Sequence, residues 1–178
     1  MNHIVTFTGV KFNPLEPEPE KIKIEDIAHP LTLACRANGH MTHFFSVAQH
    51  SINCAHEAKA RGLSRKLQLA CLLHDASEAY IGDIVRPMKQ YWPEYLEIEA
   101  KLQNMIYDKY LDEPLTDEDR AHIDQIDDDM LVCEFAVLKA WDVYGEAPDM
   151  KSDPNLCHVD FKEIENEFIK LFAILIKN

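Results

Sequence analysis

From Ile22 onward the apolar residues recur every three or four positions, and glycine or proline falls between the runs. That period suits helices that each bury one face, and leaves little room for a sheet. Ile24, Ile27 and Ala28 open the first helix; Pro30 is expected to break or restart it, and it continues from Leu31 to Arg36 until Asn38-Gly39. A second helix is expected over 42–60, with Phe44, Val47, Ala48, Ser51, Cys54, Ala55 and Ala58 on its apolar face and Gly62 at its end. Ser64 is a good N-cap for a third, reaching about Tyr80 through Leu67, Ala70, Cys71, Leu72 and Leu73, before Gly82. Pro87 and Pro93 keep the next stretch irregular. Further helices are expected over 94–110, over 116–143 behind the acidic N-cap box Thr116-Asp117-Glu118-Asp119, and over 161–176. Ahead of these, Ile4-Val5-Thr6-Phe7-Thr8 is β-prone and Gly9 marks a turn, so a short strand or hairpin precedes a proline- and glutamate-rich connector. The expectation is an all-α fold, with residues 1–21 as an N-terminal extension and 22–178 as one helical domain.

Composition narrows the function. The 178 residues are 47% hydrophobic, enough for one core, and no apolar run approaches the length of a membrane span. The first residues lack a basic region and apolar stretch, so no membrane association and a cytoplasmic location are expected. With 31 acidic against 18 basic side chains the formal charge is −13, a field that repels long nucleic acid. A small phosphorylated ligand remains compatible if a metal or a few local cations supply positive charge. Cys35, Cys54, Cys71, Cys133 and Cys157 form no C-x-x-C pair and are odd in number; buried thiols in a reducing compartment are expected.

The stretch Leu72-Leu73-His74-Asp75-Ala76-Ser77-Glu78 carries the strongest chemical signal. On a continuous helix His74 and Glu78 share a face, with Asp75 about 100° around it. Three ionisable groups at a largely apolar edge are costly unless paired or metal-bound. His50 lies on the preceding helix and Asp127 on a later one, within Ile123-Asp124-Gln125-Ile126-Asp127-Asp128-Asp129-Met130-Leu131. Two histidines and two aspartates on three helices suit a mixed nitrogen and oxygen site for a first-row divalent metal. His43, His56 and His122 are expected at the surface.

This ordered set resembles the HD-domain metal-dependent phosphohydrolase superfamily, with His50, His74-Asp75 and Asp127 in its motif positions. Ser46-Val47-Ala48-Gln49-His50-Ser51, His74-Asp75-Ala76-Ser77-Glu78, Ile81-Gly82-Asp83-Ile84 and Pro87-Met88-Lys89 look like segments of the bacterial 5′-deoxynucleotidase branch. Phe7-Thr8-Gly9, Ile24-Glu25-Asp26-Ile27-Ala28-His29 and Cys35-Arg36-Ala37-Asn38-Gly39-His40 resemble prophage- and phage-type HD 5′-nucleotidases. The resemblance implies an HD helical bundle with one divalent ion per chain (Mn, Co, Zn, Fe, Ni or Mg), held by His50, His74, Asp75 and Asp127. It implies Glu78, with Asp75, in catalysis. Arg36 is expected on the phosphate with help from Lys89, Asp83 on the sugar, and Asn38 and His40 at the pocket.

The implied reaction removes the 5′-phosphate from a small nucleotide, a (deoxy)nucleoside monophosphate. The alternatives are a dNTP triphosphohydrolase and a catalytically inactive nucleotide-binding HD module. Only Arg36, Arg86 and Lys89 are obvious cations for a longer phosphate chain. The sequence departs from the branch in two places: Ala37 follows Arg36 where a tryptophan is common, and Gln49 replaces a glutamate. Asp124 and Asp128 remain alternatives to Asp127, which is preferred because Met130-Leu131 and Glu134 then fall on the prophage-type pattern. The stripe Phe161, Ile164, Phe168, Leu171, Phe172 and Leu175 suits a core face or a dimer face; related HD hydrolases are commonly homo-oligomers, dimers or higher.

Overall fold

The computed structural model describes residues 2–139 and 148–176. Strands β1 (Ile4–Val5) and β2 (Lys11–Phe12) form an antiparallel hairpin, pairing Ile4 with Phe12 and Val5 with Lys11. The remaining regular structure is helical: α1 (Ile24–Leu33), α2 (Val47–Ala60), α3 (Arg65–Leu72), α4 (Glu78–Ile81), α5 (Arg86–Lys89), α6 (Pro93–Tyr110), α7 (Asp117–Leu138) and α8 (Phe161–Leu175), with short 3-10 turns at Pro19–Lys21 and Arg36–Gly39. The all-α expectation with a small hairpin at the start holds. Among the described residues no helix is long and apolar enough to cross a membrane.

The hairpin is tied to the helices. Asp26 on α1 is buried, and its carboxylate accepts from the Thr6 hydroxyl at 2.8 Å, the Thr8 amide at 2.7 Å and the Thr8 hydroxyl at 2.8 Å. Phe12 is fully buried and stacks on Tyr80 of α4, with centroids 4.3 Å apart. α2 is the central helix, packing against α1, α3, α7 and α8. The amphipathic face of α8 enters this core through Ile164, Phe168, Phe172 and Leu175, while Phe161 and Leu171 are half-buried. Each fully buried Phe or Leu contributes roughly 1.5–3 kcal/mol.

Several helix limits differ from the sequence reading. α1 runs through Pro30 and ends at Leu33, because proline removes a single backbone bond here. α2 starts at Val47 rather than Thr42: Ser46 caps it by accepting from the Gln49 amide at 3.1 Å, and Arg36 donates its amide to the Phe45 carbonyl at 2.8 Å. The residues just before Ser46 are therefore not helical, and Phe44 is exposed rather than on an apolar helical face. Thr116 and Asp119 form the expected capping box of α7. Described α7 ends at Leu138; the expected continuation over 140–143 lies outside the described residues. Cys54, Cys71 and Cys133 are buried thiols, but Cys35 is half-buried and Cys157 is exposed.

A strap over residues 151–157 crosses α2. Gln49, Asn53 and Glu57, spaced i, i+4 and i+8, are all buried and hold it through its backbone. Gln49 Nε2 donates to the Asn155 and Cys157 carbonyls, both at 3.0 Å, and Asn53 exchanges two 3.1 Å bonds with Asn155. A glutamate at position 49 has no N–H to give, which accounts for the glutamine. Glu57 accepts from the Lys151 and Ser152 amides, from the Ser152 hydroxyl at 2.6 Å and from Arg61 at 2.8 Å. Burial opposes its charge, but Ser152, Arg61 and the amides overcome this and lower its pKa to about 2. Its stabilisation is present above the usual glutamate value of 4.5 and is lost as pH falls through about 2. Glu57→Ala leaves these donors unsatisfied and costs about 1–3 kcal/mol at neutral pH. Thermal melts at pH 7 and pH 3 check this: the difference between wild type and variant shrinks at the lower pH.

Candidate metal centre

The expected helix from Ser64 to Tyr80 is not continuous. α3 stops at Leu72, and residues 73–77 form successive tight turns before α4. Gln103 on α6 occupies the break. Its Nε2 donates to the Leu73 carbonyl at 2.7 Å and its Oε1 accepts from the Ser77 amide at 3.1 Å. Those two backbone groups would have bonded to each other in a helix, so the inserted amide opens the ladder while satisfying both. The freed Cys71 carbonyl lies 2.8 Å from His74 Nδ1. With the chain opened, His74 and Asp75 face the same centre, His74 Nε2 lying 3.4 Å from Asp75 Oδ2.

His50 reaches that centre from the first turn of α2. It is fully buried, and its Nδ1 lies 2.6 Å from Glu134 Oε1, also fully buried, on α7. Both imidazoles therefore have Nδ1 against an acceptor, which assigns the proton there and turns the Nε2 lone pairs inward. The two Nε2 atoms are 3.2 Å apart. Asp127 Oδ1 lies 3.0 Å from His50 Nε2 and 3.7 Å from His74 Nε2, while Asp75 Oδ2 lies 3.9 Å from His50 Nε2.

Asp75 Oδ2 and Asp127 Oδ1 are both buried without a hydrogen-bond partner. Two inward imidazole nitrogens and two carboxylate oxygens converge here, and those oxygens have no hydrogen-bond partner, the Arg36 guanidinium lying 3.7 and 3.5 Å from them. Donors about 2.1 Å from a first-row ion sit roughly 3.0–3.5 Å apart at octahedral or tetrahedral angles, close to the spacings found here. The donor set thus fits a divalent ion. Cys54 Sγ is 3.5 Å from His50 Nε2, and His50, Cys54 and His74 form a group whose donor atoms lie within 4.8 Å, a possible metal site in its own right. Burial, Asp127 and Glu134 all push the Cys54 thiol well above its usual value, so the carboxylates are the readier partners.

The electrostatics agree. Burial opposes a charge on His74, yet Asp75 and Asp127 lift its pKa to about 9. Burial opposes the Asp127 anion in turn, but His50 and His74 hold its pKa far below the usual carboxylate range. Protons on the imidazoles supply the positive charge these carboxylates attract, and a divalent ion would displace them.

A cavity of about 350 Å³ opens beside the cluster. Asp75, Asp127, Glu78, Asp83, Arg36, His40 and Lys89 line it, with Ile84, Val85, Leu131 and Phe135 as its apolar wall. Glu78 is buried; burial, Asp75 and Asp83 raise its pKa well above the usual value, and its Oε2 has no hydrogen-bond partner. Arg36 sends Nη1 to 3.7 Å from Asp75, Nη2 to 3.5 Å from Asp127 and Nε to 3.4 Å from Glu134. Lys89 lies 2.7 Å from Glu99 and 3.5 Å from Glu78. Asn38 is exposed and does not line the cavity; with Ala37 it takes a left-handed backbone conformation that turns the chain after Arg36. The three aspartates separate: Asp127 joins the cluster, Asp128 binds Arg86 and Asp129 binds Arg61. Asp124 and Asp128 are exposed. His56 and His122 are exposed as expected, but His43 is half-buried, with Nε2 3.1 Å from the Leu156 carbonyl.

The HD domain family matches residues 32–136, a span that includes every member of this cluster. The chain belongs to the HD-domain family. HD domains are generally hydrolases that bind divalent metals, which agrees with the donor set. The chain is 38% identical over 110 residues to YfdR, an uncharacterised protein of Escherichia coli K12, and the match covers 62% of this chain and 59% of YfdR. It is 38% identical over 106 residues to an uncharacterised protein of Rhodobacter capsulatus, covering 56% and 54%. The matched region is therefore somewhat over half the length of these relatives.

In this HD domain, Gln103 and Arg86 have structural roles that their sequence positions did not announce, and Glu134, which the sequence used only to place Asp127, has one too. Glu134 carries a weak signal, as a glutamate one helical turn after Met130 on α7. Its carboxylate holds both His50 and Arg36 in a fully buried setting. Glu134→Ala leaves a buried guanidinium without that partner and costs about 3–5 kcal/mol, with Glu134→Gln milder. Urea unfolding of both variants at pH 7 measures the difference.

Proposed function

We propose that the chain is a divalent-metal-dependent phosphohydrolase that removes the 5′-phosphate from (deoxy)nucleoside monophosphates. The observation that carries this reading is the cluster of His50, His74, Asp75 and Asp127 donor atoms at one end of a cavity that also holds Glu78 and Arg36. At about 350 Å³ the cavity falls at the small end of ligand sites, in keeping with a mononucleotide.

His50, His74, Asp75 and Asp127 would hold the ion. When bound, it supplies Lewis-acid polarisation of the phosphoryl group and a more acidic water. Glu78 holds or takes a proton at Oε2, its unpartnered oxygen, next to the reacting phosphate. Arg36 offers its guanidinium to the equatorial oxygens, and the substrate phosphate competes with Asp75 and Asp127 for it. Asp83 faces the sugar and disfavours a 2′-hydroxyl. Ile84, Val85, Leu131 and Phe135 give the base an apolar surface.

The test incubates purified protein with dAMP, AMP and dATP in turn, with Mn²⁺, Co²⁺ or Mg²⁺. Free phosphate from dAMP, with little from AMP, is the expected result. Tripolyphosphate from dATP with dAMP untouched would make the chain a triphosphohydrolase instead. Asp75→Ala is expected to lose metal and turnover together. Glu78→Gln is expected to keep its metal and lose roughly 10²–10⁴-fold in kcat; a near-normal rate would remove Glu78 from the mechanism.

A further inference from the structure

We propose that Arg86 is a positioning residue that fixes which oxygen of Asp127 faces the metal. The inference rests on the reading of the cluster as a metal site and adds a residue outside that donor set. Arg86 Nη2 lies 2.6 Å from Asp127 Oδ2, and Nη1 lies 2.6 Å from Asp128 Oδ1. One guanidinium thus bridges two successive carboxylates of α7. The planar fork spans both at once, and a lysine ammonium has no second donor fixed in that plane.

The consequence falls on Asp127. Its Oδ2 is taken by Arg86, while its Oδ1 is buried, unpartnered and 3.0 Å from His50 Nε2. The two oxygens are thereby sorted, one outward to Arg86 and one inward to the cluster. Without Arg86, Oδ2 loses its partner, and only the groups around Oδ1, among them Arg36 at 3.5 Å and His50 at 3.0 Å, would remain to orient the carboxylate. Arg86 itself sits at the rim, with its side chain 59% exposed, on the short helix α5 that walls the cavity.

Two effects of opposite sign separate this role from a mere nearby charge. By Coulomb's law alone a cation beside Asp127 repels a divalent ion, so removing it tightens metal binding. As an orienting partner its removal weakens binding, because groups that hold metal ligands in place typically contribute 10–100-fold in affinity. Orientation is expected to win, since Arg86 is largely solvated and its repulsion is screened.

The experiment titrates Mn²⁺ alone, by calorimetry at pH 7.5, into wild type, Arg86→Gln, Arg86→Lys and Asp128→Asn. Arg86→Gln is expected to weaken Mn²⁺ binding by roughly 10–100-fold. Arg86→Lys should fall between it and wild type, and Asp128→Asn should lose less than Arg86→Gln. Equal or tighter Mn²⁺ binding by Arg86→Gln overturns the inference. So does a variant that raises KM for a nucleotide while its Mn²⁺ affinity is unchanged, which would make Arg86 a phosphate contact. If Arg86→Gln does not fold, Arg86→Lys and Asp128→Asn carry the same comparison, and wild-type affinity in both overturns it. A wild-type protein that takes up no divalent ion overturns the proposed function as well, so the two failures are distinguishable.

Discussion

The site depends on one side chain inserted into a helix. Gln103 reaches from α6 to the Leu73 carbonyl and the Ser77 amide, the pair that would have closed the next helical turn. An amide is suited to this because it carries a donor and an acceptor on one carbon, so neither backbone group is left unsatisfied in the interior. Opening the ladder also releases the Cys71 carbonyl to His74 Nδ1 and brings Asp75 beside His74. On an unbroken helix the two residues would diverge by about 100° and could not reach one ion together from neighbouring positions.

The same logic of pairing governs the buried charges. Placing ionised groups in a low-dielectric interior is tolerable only when each finds an opposite charge or a full set of hydrogen bonds. Glu134 meets this with His50 and Arg36, and Glu57 with Arg61, the Ser152 hydroxyl and two strap amides. The inward oxygens of Asp75 and Asp127 meet it only in part, with the Arg36 guanidinium at 3.7 and 3.5 Å and no hydrogen-bond partner. Among the described residues, three buried oxygens without a hydrogen-bond partner, on Asp75, Glu78 and Asp127, gather at this cavity, the fourth being the neutral Tyr80 hydroxyl, whereas the Glu134 and Glu57 charges are matched. In a chain with a formal charge of −13, a cation bound there relieves local repulsion as well as coordinating the ligands.

How much of this was legible in the sequence follows from how far each interaction reaches along the chain. Helices α6, α7 and α8 announce themselves through local period and caps, and the Thr116 box needs only four residues to be read. The cluster residues were legible as an ordered set of rare types, although not as a geometry: the sequence put His74 and Asp75 on a regular helix. The break is occupied by Gln103, about thirty positions downstream, and nothing in the local pattern of Leu67 to Tyr80 signals it. The strap is hidden for a similar reason. Gln49, Asn53 and Glu57 lie outside the apolar face expected for α2, and the strap of residues 151–157 bonds to all three. Arg86 read as a cation available to phosphate because its partners lie about forty residues away.

That last difference bears on substrate size. Arg36 is shared among Asp75, Asp127 and Glu134, Arg86 between Asp127 and Asp128, and Lys89 between Glu99 and Glu78. The sequence offered these three as cations for a phosphate chain, but each already faces carboxylates. A ligand phosphate must displace those carboxylates to use them, and displacement at Arg36 or Lys89 leaves a buried or half-buried anion to be compensated, whereas Asp128 beside Arg86 is solvated. A single phosphate bound at the ion and Arg36 asks for one such exchange, and the ion itself offsets the Asp75 and Asp127 charges that Arg36 gives up. A triphosphate asks for a further exchange at Lys89, which would uncouple Glu78 and Glu99. The charge pairing at Lys89 therefore supports the proposed monophosphate reading, independently of the cavity's volume.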